Sequence, residues 1–191
     1  MVTEQTRPAL RVDVRRPQRA DARRNFDALL AAARDAFASK GTDASLEDIA
    51  RNAGVGIGTL YRNFPTRLDL LKAVYLGEIE ELCQAAEDVA DLPPWEALTT
   101  WLRRFVAYAA TKRAIHESLN RESEMFKDAR AAMYEAGTPL FERAQAAGEA
   151  RTDLSFDDLV RMVSGLTGGS FVDDQQRERV LQIALDGVRA R

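Results

Sequence analysis

The stretch SLEDIARNAGVGIGTLYRNFP, residues 45 to 65, constrains the fold of this chain more than any other. Leu46, Ile49, Ala50 and Ala53 recur at helical spacing, with Ser45 where an N-cap belongs and Asp48 three residues on. Gly54 is the natural stop for this helix after about two turns, because a left-handed backbone costs glycine little. After Gly56, Ile57 to Phe64 leave room for a second short helix, closed by Pro65. Upstream, Phe26, Leu29, Leu30, Ala33 and Phe37 share one face of a longer helix from about Ala20 to Ser39, and Gly41 ends it. Downstream, Thr66 with Asp69 repeats the capping pattern and opens a long fourth helix through Leu68, Leu71, Val74, Tyr75, Ile79 and Leu82.

Two short helices joined by a glycine-containing turn and braced on a longer one form the unit that carries a helix into a DNA major groove. In that arrangement the third helix keeps Leu60 and Phe64 for the core. Thr59, Tyr61, Arg62 and Asn63 then face outward, combining phosphate hydrogen bonding with groups that read bases. Ser45 caps a helix whose free N–H groups can receive a phosphate, and Arg67 stands at the start of the fourth helix, placed for another.

The remainder of the chain also reads as helix, giving an all-α fold class. DLPPW at 91 to 95 interrupts the fourth helix and opens the next, since proline fits a first turn. Segments over about 95–112, 114–122, 124–147, 155–167 and 173–190 follow. AGTP at 136 to 139 marks a break or a kink, and AAGEARTD and TGGS separate the last three segments. The domain border falls near residues 66 to 72, with the fourth helix bridging both parts.

Charge divides along the same border. Residues 1 to 67 hold 12 Lys/Arg against 8 Asp/Glu, and residues 68 to 191 hold 15 against 22, so the front is basic and the rest acidic. Such asymmetry fits a polyanion partner for the front alone, and it also occurs on ordinary surfaces. Residues 1 to 19 read as a flexible basic arm with Arg7, Arg11, Arg15, Arg16 and Arg19. Those arginines have no apolar core behind them, which excludes a signal peptide, and no run of about 18 apolar residues occurs. A lone cysteine, Cys83, fits a reducing cytoplasm; it is read as a packed residue rather than a redox sensor, because no basic neighbour lowers its pKa.

SLEDIARNAGVGIGTLYRNFPTRLDLL, residues 45 to 71, closely resembles the helix-turn-helix of the tetracycline-repressor (TetR) family of bacterial regulators, carried by the Gly-Thr-Leu-Tyr run at 58 to 61, Arg62, Asn63, Phe64 and Arg67. The resemblance implies a helix-turn-helix DNA-binding domain over 20–67 and a helical ligand-binding and dimerisation domain over 68–191. Tyr61 and Arg67 then contact phosphates, Ser45 contacts the DNA backbone, and Thr59 and Arg62 contribute base recognition. Ile57 and Gly58 lie at the exposed start of the reading helix. Asn63 stands where many relatives have His. By analogy with other regulators, Arg15, Arg16 and Arg19 enter a minor groove; the alternative is a solvated tail.

The resemblance further implies a homodimer, a double-stranded DNA operator, a small-molecule inducer and a cytoplasmic location, with no membrane partner, cofactor, metal or catalytic residue. Trp101, Phe105, Tyr108, His116, Met125 and Phe126 are the expected cavity lining, with Arg121, Glu122 and Glu124 as polar anchors or solvated surface. Leu159, Met162, Val163 and Leu166 form one C-terminal stripe and Leu181, Leu185 and Val188, with Val180 and Ala184, another; small Ser164, Gly165, Gly168 and Gly169 permit close approach. Pairing with a second copy buries both stripes and sets two reading helices about 34–36 Å apart. Two alternatives differ in function. A regulator without an inducer keeps the first domain's chemistry, whereas an enzyme would need a phosphate loop, nucleophile motif or metal-ligand spacing that the sequence lacks.

Overall fold

The structure, a computed structural model, describes residues 16–116, 124–167 and 171–190, except the side chains of Thr42, residues 110–116 and Thr167. Among these residues it is helical throughout: α1 Ala20–Lys40, α2 Leu46–Asn52, α3 Ile57–Asn63, α4 Arg67–Asp88, α5 Pro94–His116, α6 Glu124–Ala146, α7 Phe156–Thr167 and α8 Asp174–Val188. A 3-10 turn, Gly41–Asp43, links α1 to α2.

The expected stops and starts act through backbone geometry. Gly41 and Gly54 take φ of 59° and 71°, the left-handed region that a side chain disfavours. The Asp48 N–H donates to Ser45 Oγ at 3.2 Å, capping α2. At α4 the full reciprocal box forms: Asp69 N–H donates to Thr66 Oγ1 at 3.1 Å, and Thr66 N–H donates to Asp69 Oδ2 at 3.0 Å.

Phe26, Leu29, Ala33 and Phe37 of α1 are buried with Leu46 and Ile49 of α2, Leu60 of α3, and Phe64. The rings of Phe26 and Phe64 lie 5.0 Å apart, locking the end of α3 onto α1. Burial of a side chain of that size is worth about 1.5–3 kcal/mol, so the orientation of α3 is fixed by two apolar anchors on its inner face. Leu70 and Leu71 extend the same core into α4, while Leu68, expected on the buried stripe, is 40% exposed.

Helices α4, α5 and α6 pack on one another, α7 rests on α5 and α6, and α8 on α7. Two expectations change here. α5 runs unbroken to His116 instead of ending near 112, because Thr111, Lys112 and Arg113 offer no glycine or proline to stop it. Residues 117–123, which complete the expected 114–122 helix, lie outside the described residues. The AGTP stretch lies inside α6, which continues through Pro139. Gly137 is needed there for close approach: a Cβ at this position would meet Trp101 Cη2 at 2.6 Å and overlap the Phe156 ring.

Specific polar contacts tie the long helices together. Trp101 Nε1–H donates to the Leu82 carbonyl at 3.0 Å, joining α5 to α4. Arg143 of α6 donates to the carbonyls of Ala90 and Leu92 in the α4–α5 turn. The chain's end is held by backbone bonds from Arg151 N–H to Val188 O at 2.9 Å and from Ala190 N–H to Glu149 O at 3.0 Å. Between the first three helices and α4, Arg34 forms ion pairs with Glu78, 8% exposed, and with Glu81.

Candidate nucleic-acid interface

The seven residues of α3 divide cleanly into two faces. Leu60 is buried, and Thr59 and Asn63 are half-buried at the margin between the two faces. Ile57, Gly58, Tyr61 and Arg62 point outward, the spacing of one exposed helical face, with Tyr61 47% accessible.

Hydrogen bonds order the polar part of that face. Arg62 folds back along its own helix, donating from Nε to the Gly58 carbonyl at 3.3 Å and from a terminal nitrogen to Thr59 Oγ1 at 3.0 Å. The exposed guanidinium therefore lies along the first turn of α3. Asn63 Nδ2 donates to the Thr59 carbonyl at 2.8 Å. Arg67 donates to the Ala44 carbonyl at 2.6 Å, so it ties the start of α4 to the chain just before α2. Ser45 acts as the α2 cap, and its hydroxyl donates to Glu47 at 3.0 Å.

Glu47 is the feature that sequence reasoning missed. Its carboxyl is held below the usual range, first by a hydrogen bond to its own backbone N–H and then by Ser45. A carboxylate thus stands beside the place where Ser45 was expected to meet a phosphate, with Arg67 close enough to offset its charge. Only the Ser-x-Glu spacing hinted at it. Of the arm, Arg16 pairs with Glu80 of α4 at 2.7 Å, directing this candidate minor-groove residue towards α4. Arg19 is exposed at the start of α1, and Arg15 lies outside the described residues.

Trp101, Phe105, Tyr108 and Phe126 are brought together in the core, and Met125 is half-buried beside them. Trp101 and Phe105 stack at 5.8 Å, Phe105 meets Tyr108 at 5.7 Å, and Tyr75 of α4 lies against both Tyr108 and Phe126. The Tyr75 and Tyr108 hydroxyls are 3.4 Å apart, and burial raises the pKa of both above the ordinary phenol value. The side chain of His116, with Arg121 and Glu122, lies outside the described residues; Glu124 is exposed and pairs with Lys127. Cys83 is half-buried, and burial followed by the charges of Glu135, Glu87 and Glu80 raises its thiol pKa.

In the C-terminal pair, Leu159, Val163, Leu181, Leu185 and Val188 are buried within the single chain, and Met162 and Leu166 are half-buried. The stripes close largely on their own chain. Ile183, 71% exposed, and Val172, 88% exposed, are the large apolar groups left outward there. Gly168 and Gly169 lie outside the described residues. No helix among the described residues is long and apolar enough to cross a membrane.

A short helix anchored by two apolar side chains, presenting Tyr61 and Arg62 beside a glycine turn, forms the second helix of a helix-turn-helix unit. Residues 29–74 match the family described as bacterial regulatory proteins, tetR family, and residues 93–190 match the C-terminal domain of SbtR-like transcriptional regulators. The chain belongs to the TetR family, whose members are DNA-binding regulators rather than enzymes. It is 43% identical to a TetR transcriptional regulator from Streptomyces coelicolor, over 86% of this chain and 98% of that one, with a TM-score of 0.74. A TetR regulatory protein from Mycobacterium vanbaalenii is 33% identical, over 91% of this chain and 100% of that one, at a TM-score of 0.69. The ketosteroid transcriptional regulator of Mycobacterium tuberculosis shares the fold at 22% identity, 93% and 100% coverage, and a TM-score of 0.60.

Proposed function

We propose that two copies of the chain bind a partly palindromic operator as a homodimeric repressor and release it when a small molecule enters the helical C-terminal domain. The observation that carries this reading is the course of α4. At its start Arg67 ties it to the chain just before α2, and two turns on Tyr75 belongs to the aromatic cluster with Tyr108 and Phe126. A ligand that repacks those rings shifts α4, and with it α1, which packs on α4 and holds the end of α3 through Phe26 and Phe64. Release requires unequal ligand affinity for the DNA-competent and DNA-incompetent spacings, since equal affinity shifts neither population.

Within this reading Tyr61 and Arg67 contact phosphates, Ser45 and Asn63 support the backbone contact, and Thr59 and Arg62 read bases. The basic surface of the first domain favours the duplex. Tyr61→Phe is expected to weaken binding to all sequences about equally, while Arg62→Ala changes base preference as well as affinity. Dimerisation draws on the outer face of α7 and α8, where Met162, Leu166 and Ile183 retain exposed apolar surface.

The test is a panel of metabolites screened for thermal stabilisation of the full chain, followed by operator release with each hit. Stabilisation with release supports an inducer-controlled repressor. Operator binding that no metabolite alters assigns a constitutive or protein-controlled regulator.

A further inference from the structure

The exposed face of α3 contains two residues that the chain's own stability does not explain. Gly58 lies inside the helix with negative φ, and a Cβ added there meets nothing within 4 Å. Neither strain nor packing requires glycine, and glycine in a helix costs about 1 kcal/mol relative to alanine. Beside it Ile57, the first residue of α3, is 37% exposed and stands outside the buried cluster formed by Leu60 and Phe64. A bare backbone next to an outward aliphatic group suits close approach to a surface that is itself partly apolar.

Resting on the DNA-binding reading above, we propose that Ile57 is a specificity-determining residue that recognises the C5-methyl group of a thymine, with Gly58 providing the clearance for that contact. In the major groove the methyl of thymine is the apolar feature among the base edges; the other distinguishing groups are hydrogen-bond donors and acceptors. The first residues of a reading helix are those that reach base edges. Ile57 carries no hydrogen-bonding group in its side chain, so its discrimination is apolar contact. Arg62, laid back towards Gly58, flanks the contact with a donor pair but does not substitute for it.

The experiment begins with selection of an operator by the full chain from random duplexes. Each thymine of one half-site is then replaced singly by deoxyuridine, which removes the methyl and leaves pairing and groove hydrogen bonds in place. Wild-type protein is expected to lose about fourfold in affinity at one thymine, the factor for one buried methyl-sized group. Ile57→Ala is expected to bind the thymine and deoxyuridine duplexes equally at that position while keeping the wild-type melting temperature. Gly58→Ala is expected to melt higher yet bind the operator more weakly. An operator indifferent to every single deoxyuridine replacement overturns the assignment, as does a methyl effect that persists in Ile57→Ala, and both outcomes leave DNA binding itself standing. Failure to recover any bound duplex overturns the DNA-binding reading and this assignment with it.

Discussion

Arg34→Met removes the cation that faces a carboxylate at the junction between α1 and α4. The Glu78 side chain is 9% exposed and that of Arg34 32%, with Glu81 at 2.5 Å as a second, exposed partner. Removing one member of a fully buried pair costs about 3–5 kcal/mol, because the other charge stays buried and uncompensated. A third of Arg34 already meets solvent, so water screens part of the site and the expected loss at pH 7 is about 2–3 kcal/mol. Burial raises the Glu78 carboxyl above its ordinary value, and Arg34 partly pulls it back. In the variant burial is unopposed, so the folded-state value rises further above the unfolded one. A carboxyl raised in the folded state favours folding fully below its unfolded value, and that contribution is lost as pH rises through the folded value. The deficit relative to wild type is therefore largest at neutral pH and shrinks towards pH 5 as Glu78 takes up its proton. Urea unfolding of both proteins at pH 7 and pH 5 measures this, and Arg34→Met with Glu78→Gln should recover more than half of the loss at pH 7. A deficit below about 1 kcal/mol at pH 7, or one that grows at pH 5, refutes the electrostatic role of the pair.

Three further outcomes are expected. Gly137→Ala forces a methyl against the Trp101 and Phe156 rings and should lower stability by about 1–3 kcal/mol; a melting temperature equal to wild type would show that the rings yield freely. Thr66→Ala removes the hydroxyl half of the α4 capping box and should cost about 1 kcal/mol in chemical denaturation, with operator affinity falling only if the start of α4 frays. Arg62→Ala should broaden the set of duplexes retained in a selection experiment, and unchanged affinity and selectivity would remove Arg62 from base reading.

Local signals made the first domain legible before its structure was known. Ser45, Gly54, Thr66 and Asp69 act within a few residues of themselves, so their spacing alone locates both ends of α2 and the start of α4. Leu60 and Phe64 likewise follow from helical periodicity. What escaped depends on partners distant in sequence. The pairing of Arg34 with Glu78 and Glu81 joins distant parts of the chain and has no local signal, and Arg16, expected in a flexible basic arm, meets Glu80 of α4. The C-terminal stripes show why periodicity identifies an apolar face but not its neighbour, since Leu159, Val163 and Leu185 are covered by their own chain. α5 continues past residue 112 because no helix-breaking residue stands there, and apolar periodicity alone does not mark where a helix ends.

Selection of bound fragments from random duplexes by the full chain tests the paired reading helices most directly. An enriched inverted repeat with half-site centres about one helical turn apart, 10–10.5 base pairs, is the expected result. Recovery of a single unrepeated half-site, or no enrichment under conditions where the chain is folded, would contradict a dimer that presents two α3 helices to one duplex.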